Sequence, residues 1–186
     1  MSIYHFFLLA FLFVSVTPLF SQPQNSEIEK VLSAQLESFY NCRGGSDDLS
    51  KCNEIISESL QKAYNINDFN SGESGGYMSF NEILAYVKSS DQWQSIGPGY
   101  EQASLKQAQD VANSKKAVIA IYEGSENGHI AFVLPGELQT SGSWGMSVPN
   151  SASFFTAKPE KSFVGKSLSY AFTTSMIKDL TLYKRK

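Results

Sequence analysis

Ala117-Val118-Ile119-Ala120-Ile121-Tyr122, a polar stretch over 123–128, then His129-Ile130-Ala131-Phe132-Val133-Leu134 closed by Pro135-Gly136, is the segment that decides how this chain folds. Two short β-type runs joined by a loop and ended by a Pro-Gly breaker read as a hairpin. Upstream of residue 117 the texture is helical. Residues 27–40 place Ile28, Val31, Leu32, Leu36 and Phe39 at helical spacing, with Ser26 as N-cap. After a turn-rich stretch over 43–51, Cys52 opens a second helical pattern through Ile55, Ile56, Leu60 and Ala63. A third helix fits 80–87, where Ser79 and Glu82 make a capping box, and a fourth fits 104–112. Downstream, 167–173 and 180–183 add further β-type runs. Helices followed by an antiparallel sheet predict an α+β domain.

The ends and the composition bound that reading. Residues 6–14 are apolar without interruption, and Pro18 and Ser21 follow, which reads as a secretory signal over 1–21 cleaved after Ser21. The mature chain, 22–186, is then one domain that is exported, periplasmic or secreted, with no membrane span after signal removal. Net charge is −3 and the only basic cluster is Lys184, Arg185 and Lys186. That leaves no electrostatic footprint for nucleic acid.

Three residues matter for chemistry. A thiol at a helix N-terminus faces unpaired N–H groups and the positive end of the helix dipole, which favours its thiolate, so Cys52 is a candidate nucleophile. His5 departs with the signal, leaving His129 as the imidazole that could act as its base. Cys42 opens the alternative that an exported chain carries one Cys42–Cys52 disulfide. One histidine and two cysteines without ligand spacing imply no metal, and no cofactor is expected.

Tyr40-Asn41-Cys42-Arg43-Gly44-Gly45, followed after six residues by Cys52-Asn53, resembles the signature of NlpC-type cysteine amidases: tyrosine, any residue, tryptophan, two glycines, and a cysteine heading a helix. Here the tryptophan is missing and one residue is added, with Cys42 near the tryptophan's place. Gly128-His129-Ile130-Ala131-Phe132-Val133-Leu134 is similar to the histidine-bearing strand of that family and of the related CHAP amidases. The Trp93-containing loop and helix before it, and Pro135-Gly136 after it, look like a subset of the family, so the likeness covers roughly 36–173.

That resemblance implies a papain-like NlpC-type fold, with N-terminal helices packed on a small antiparallel sheet. It implies an exported cysteine amidase or endopeptidase that hydrolyses amide bonds in peptidoglycan peptides. Cys52 would attack the carbonyl and His129 would protonate the leaving amine. Tyr40 would donate to the oxyanion together with the Cys52 N–H, each such donor being worth ~3 kcal/mol. The partner orienting His129 would be Asn150, with Glu137 and Ser147 in reserve. The substrate would be a peptidoglycan peptide and the protein a monomer, with room for a protein inhibitor. Two further readings stay open: a catalytically inactive or redox-latent wall-binding domain, if Cys42 and Cys52 are bridged, and an antibacterial amidase toxin. Of the aromatic residues, Trp93, between Gln92 and Gln94, is the one expected to be exposed, and the stretch 72–76 is a lid or a linker.

Overall fold

The structure, a computed structural model, describes residues 27–45, 50–71, 76–124 and 128–186. Residues 1–26, which include the expected signal segment and the expected N-cap Ser26, and residues 46–49, 72–75 and 125–127 lie outside them. Among the described residues four α-helices, α1 (Glu27–Gly45), α2 (Ser50–Tyr64), α3 (Phe80–Ser89) and α4 (Gln102–Asn113), accompany eight strands. These are β1 (Trp93–Pro98), β2 (Val118–Tyr122), β3 (His129–Val133), β4 (Gln139–Ser141), β5 (Met146–Val148), β6 (Asn150–Ser153), β7 (Phe163–Ser167) and β8 (Leu180–Arg185). Six of them form one sheet in the order β1-β8-β2-β3-β6-β7, and β4 and β5 form a separate pair. Every pairing is antiparallel, so the architecture is α+β.

The expected hairpin is present, with Tyr122 opposite His129 and Ile119 opposite Phe132. Its near-continuous apolar composition is explained by burial on both faces. Ile119, Ile121, Ile130 and Phe132 pack with Leu32, Phe39, Leu60 and Ile83 from the first three helices. Val118, Ala120, Ala131 and Val133 pack with Leu105, Ala108 and Ala112 of α4 and with Trp144 and Phe172. Because side chains alternate along a strand, the same two strands feed two cores and the sheet is the middle of three layers.

Polar anchors set the layers. The Tyr64 hydroxyl of α2 donates to the Val133 carbonyl at 2.9 Å. From α4, the buried Gln109 donates to the Leu134 carbonyl at 2.9 Å and accepts the Asn150 N–H at 3.0 Å. One amide side chain thus satisfies two adjacent strand ends that would otherwise be buried unpaired. The capping box at α3 is present, with the Glu82 carboxylate accepting the Ser79 N–H at 2.7 Å.

Three expectations need correction. Residues 167–173 are not a strand: β7 ends at Ser167 and a 3-10 turn, Leu168–Tyr170, follows it. The segment around Trp93 is a strand, not a loop, and Trp93 is 3% exposed. Its indole N–H donates to the Asp68 carboxylate at 2.9 Å, so the polar neighbours that suggested exposure merely flank a buried anchor. The turn-rich stretch after Tyr40 is shorter than expected, since α1 continues to Gly45.

Asp68 ties this end of the molecule together. Its carboxylate, 6% exposed, also accepts Arg185 Nε at 2.8 Å and a second guanidinium N–H at 3.0 Å. Asp68→Ala strands three donors, so unfolding in urea is expected to show a loss of about 2–4 kcal/mol. A loss below about 0.5 kcal/mol would show that the pair behaves as a surface ion pair instead.

Candidate functional site

α2 carries Cys52 in its first turn, as its spacing predicts, two residues after the helix begins at Ser50. Its sulfur is bonded to that of Cys42, with the Cα atoms 5.8 Å apart, and no cysteine is free among the described residues. Cys42 lies in the last turn of α1, so the bridge clips the end of one helix to the start of the next. Cys52 is completely buried, whereas Cys42 is half-buried. In this state Cys52 is no nucleophile, because its electron pair is committed to the S–S bond.

His129 opens β3, again as expected. Its Nε2 lies 2.6 Å from the Ser153 hydroxyl on β6, while its Nδ1 has no hydrogen-bond partner among the described residues. The ring stacks on Phe155 at 4.4 Å and meets the edge of Phe172 at 5.4 Å. This apolar sandwich desolvates the imidazole and lowers its pKa to about 4, so the side chain is neutral at pH 7. In the bridged state there is no thiolate nearby to offset that burial.

A cleft of about 300 Å³ opens beside it, lined by Ile56 of α2, Phe80 and Ile83 of α3, Gly128, His129 and Ile130 of β3, and Phe154. Ile56 is one turn beyond Cys52 on the same face of α2, so α2 reaches the depression through Ile56 while neither cysteine of the bridge lines it. Gly128 is required by packing, because a Cβ there would run into the Phe80 ring.

The two side chains do not meet. No hydrogen bond joins Cys52 to His129, and strand alternation sends the His129 ring with Ala131 toward the face covered by α4, beside Phe172. Cys52 belongs to a helix that covers the other face, where Leu60 and Ile56 pack.

Asn150 is not beside His129. It sits opposite Leu134, at the far end of β3, where its Nδ2 donates to Glu29 Oε1 at 3.0 Å and to the Pro135 carbonyl at 3.2 Å. The side chain that meets the His129 ring nitrogen is not Asn150 but Ser153, three residues along β6, which strand register could have indicated had β6 been recognised. The reserves fare no better: Glu137 is exposed, and the Ser147 backbone on β5 is held by Gln102. Tyr40 is 37% exposed and its hydroxyl donates to the Ser162 carbonyl at 3.2 Å. Two positions from Cys42 on a helix, it projects away from the bridge and is not placed as an oxyanion donor.

Among the described residues no group of three or more His, Cys, Asp or Glu side chains could hold a metal ion, and no helix is long and apolar enough to cross a membrane. Comparison with protein-family models finds no match, and comparison with curated proteins finds no significant match either.

A neutral, desolvated His129 makes stability depend on pH. Its folded pKa lies below the unfolded value of about 6.5, so the stability it confers is complete above pH 6.5 and is lost as pH falls toward 4. Over that window the unfolded chain binds a proton that the folded chain refuses, worth about 3 kcal/mol in all. Urea titrations at pH 7 and pH 4.5 are expected to show a smaller pH-dependent loss for His129→Gln than for the wild type. Equal losses would assign the acid sensitivity to other groups.

Proposed function

We propose that this protein is an exported cysteine amidase of papain-like, NlpC-type architecture, held here in a latent form, and that it hydrolyses amide bonds in peptidoglycan peptides. The observation that carries the reading is a single cleft lined by His129 at the start of β3 and by Ile56 of α2, one turn beyond Cys52. Support also comes from the order of elements, a cysteine-bearing helix and, later in the chain, an antiparallel hairpin whose second strand opens on histidine. In the active form, the Cys52 thiolate attacks the substrate carbonyl and His129 gives a proton to the leaving amine; water then hydrolyses the acyl-enzyme. Ser153 is a positioning residue, accepting or donating at Nε2 so that Nδ1 is the nitrogen offered toward the nucleophile. Activity requires that the bridge be reduced and that the imidazole turn toward α2.

A second reading is favoured by the bridge itself and by the opposite facing of the two side chains: a wall-binding domain with no catalysis, in which the disulfide is a staple. An antibacterial target would change the victim and not the chemistry.

Incubation of the full chain with purified peptidoglycan, read by release of new amino groups, separates these. The reduced wild type is expected to digest the wall and the oxidised form not to. Cys42→Ala is expected to be active without reductant, and Cys52→Ala to lose activity by about a thousandfold or more. Absence of digestion by both reduced wild type and Cys42→Ala, with wall binding retained, would establish the non-catalytic reading. For Ser153→Ala, kcat is expected to fall about tenfold with KM little changed and with a displaced pH profile; an unaltered profile would remove Ser153 from that role.

A further inference from the structure

The Cys42–Cys52 bridge is asymmetric in two independent respects. Cys52 is 0% exposed while Cys42 is half-buried, so a reagent from outside approaches the bridge from the Cys42 side. Cys42 also stands in the last turn of α1, against the carbonyl end of that helix, while Cys52 stands in the first turn of α2, a helix of 15 residues, among its unpaired N–H groups.

A thiolate opens a disulfide by attacking one sulfur along the S–S axis and expelling the other as thiolate. Attack on Cys52 would have to pass through packed side chains, so access selects Cys42. The expelled sulfur leaves more readily when its thiolate is stabilised, and the first turn of α2 stabilises Cys52 where the end of α1 would oppose a negative charge on Cys42. Access and leaving-group quality therefore select the same direction.

We propose that Cys42 is a thiol-exchange site: an incoming thiol reductant bonds to Cys42 and releases Cys52 first. The incoming thiolate forms an S–S bond to Cys42 as the Cys42–Cys52 bond breaks, and the bonding pair departs with Cys52. A second thiol then displaces the first from Cys42. The net exchange converts two thiols to one external disulfide and the bridge to two thiols, with two protons and two electrons passing inward. Cys52 is thus free while Cys42 is still capped, so a single exchange exposes the residue read above as the nucleophile. The importance of that release rests on the amidase reading, but the direction of exchange does not.

The test uses the folded, oxidised full chain and limiting glutathione as the thiol; exchange is stopped in acid, free thiols are alkylated only after the quenched chain has been unfolded, and the peptides are mapped. Glutathione on Cys42 with alkylated Cys52, in at least about tenfold excess over the reverse species, is the expected result. Equal amounts, or glutathione on Cys52, would overturn the proposal. So would a bridge that exchanges only after urea has unfolded the chain, since Cys42 would then be closed to thiols in the native fold. Peptidoglycan digestion followed in the same reaction separates the two claims: selective exchange at Cys42 without digestion leaves this proposal standing and removes the amidase reading.

Discussion

Side-chain alternation along β3 governs most of this molecule. Ile130, Phe132 and Leu134 face the layer made by α1, α2 and α3, while Ala131 and Val133 face α4 and the irregular segments around Trp144 and Phe172. A strand buried on both faces cannot slip by one residue without exchanging its large and small side chains between two packed cores. The register is therefore strongly held, and with it the position of His129 at the strand's first residue. The same parity turns the imidazole toward Phe172 and away from the helix that carries Cys52.

The second constraint is covalent. A bond between the end of α1 and the start of α2 limits how far those helices can separate, and it lies one turn of α2 before Ile56, which lines the cleft together with His129. Burial keeps His129 neutral, and bonding keeps Cys52 un-nucleophilic. Reduction addresses the second directly; under the amidase proposal it would address the first as well, because a thiolate brought beside the ring favours the imidazolium.

Much of the fold was legible in the sequence. Helical spacing located α1 to α4, the Ser79–Glu82 capping box is formed, and the 117–134 hairpin pairs as read. β1, β4, β5, β6 and all of β7 but Ser167 were not read as strands, because these segments are short, polar or glycine-bearing, and gain their strand character from a neighbour rather than from their own pattern. Missing β6 is what misdirected the search for the His129 partner to Asn150, since a contact across strands depends on register and not on sequence distance. Tyr40 failed for a related reason: its place in a motif suggested a role, but helical geometry turns it toward Ser162. Cys42 and Cys52 left two outcomes open, and the structure takes the bridged one.

The most direct measurement is an NMR titration of the His129 ring in the oxidised and the reduced full chain. If bridge reduction assembles a Cys52–His129 pair, the imidazole pKa rises from about 4 in the oxidised chain to above its ordinary value of about 6.5 in the reduced one, because a thiolate partner outweighs the burial. A pKa that stays low after reduction would mean that thiol and imidazole never meet, and would contradict the account of this protein as a latent cysteine amidase.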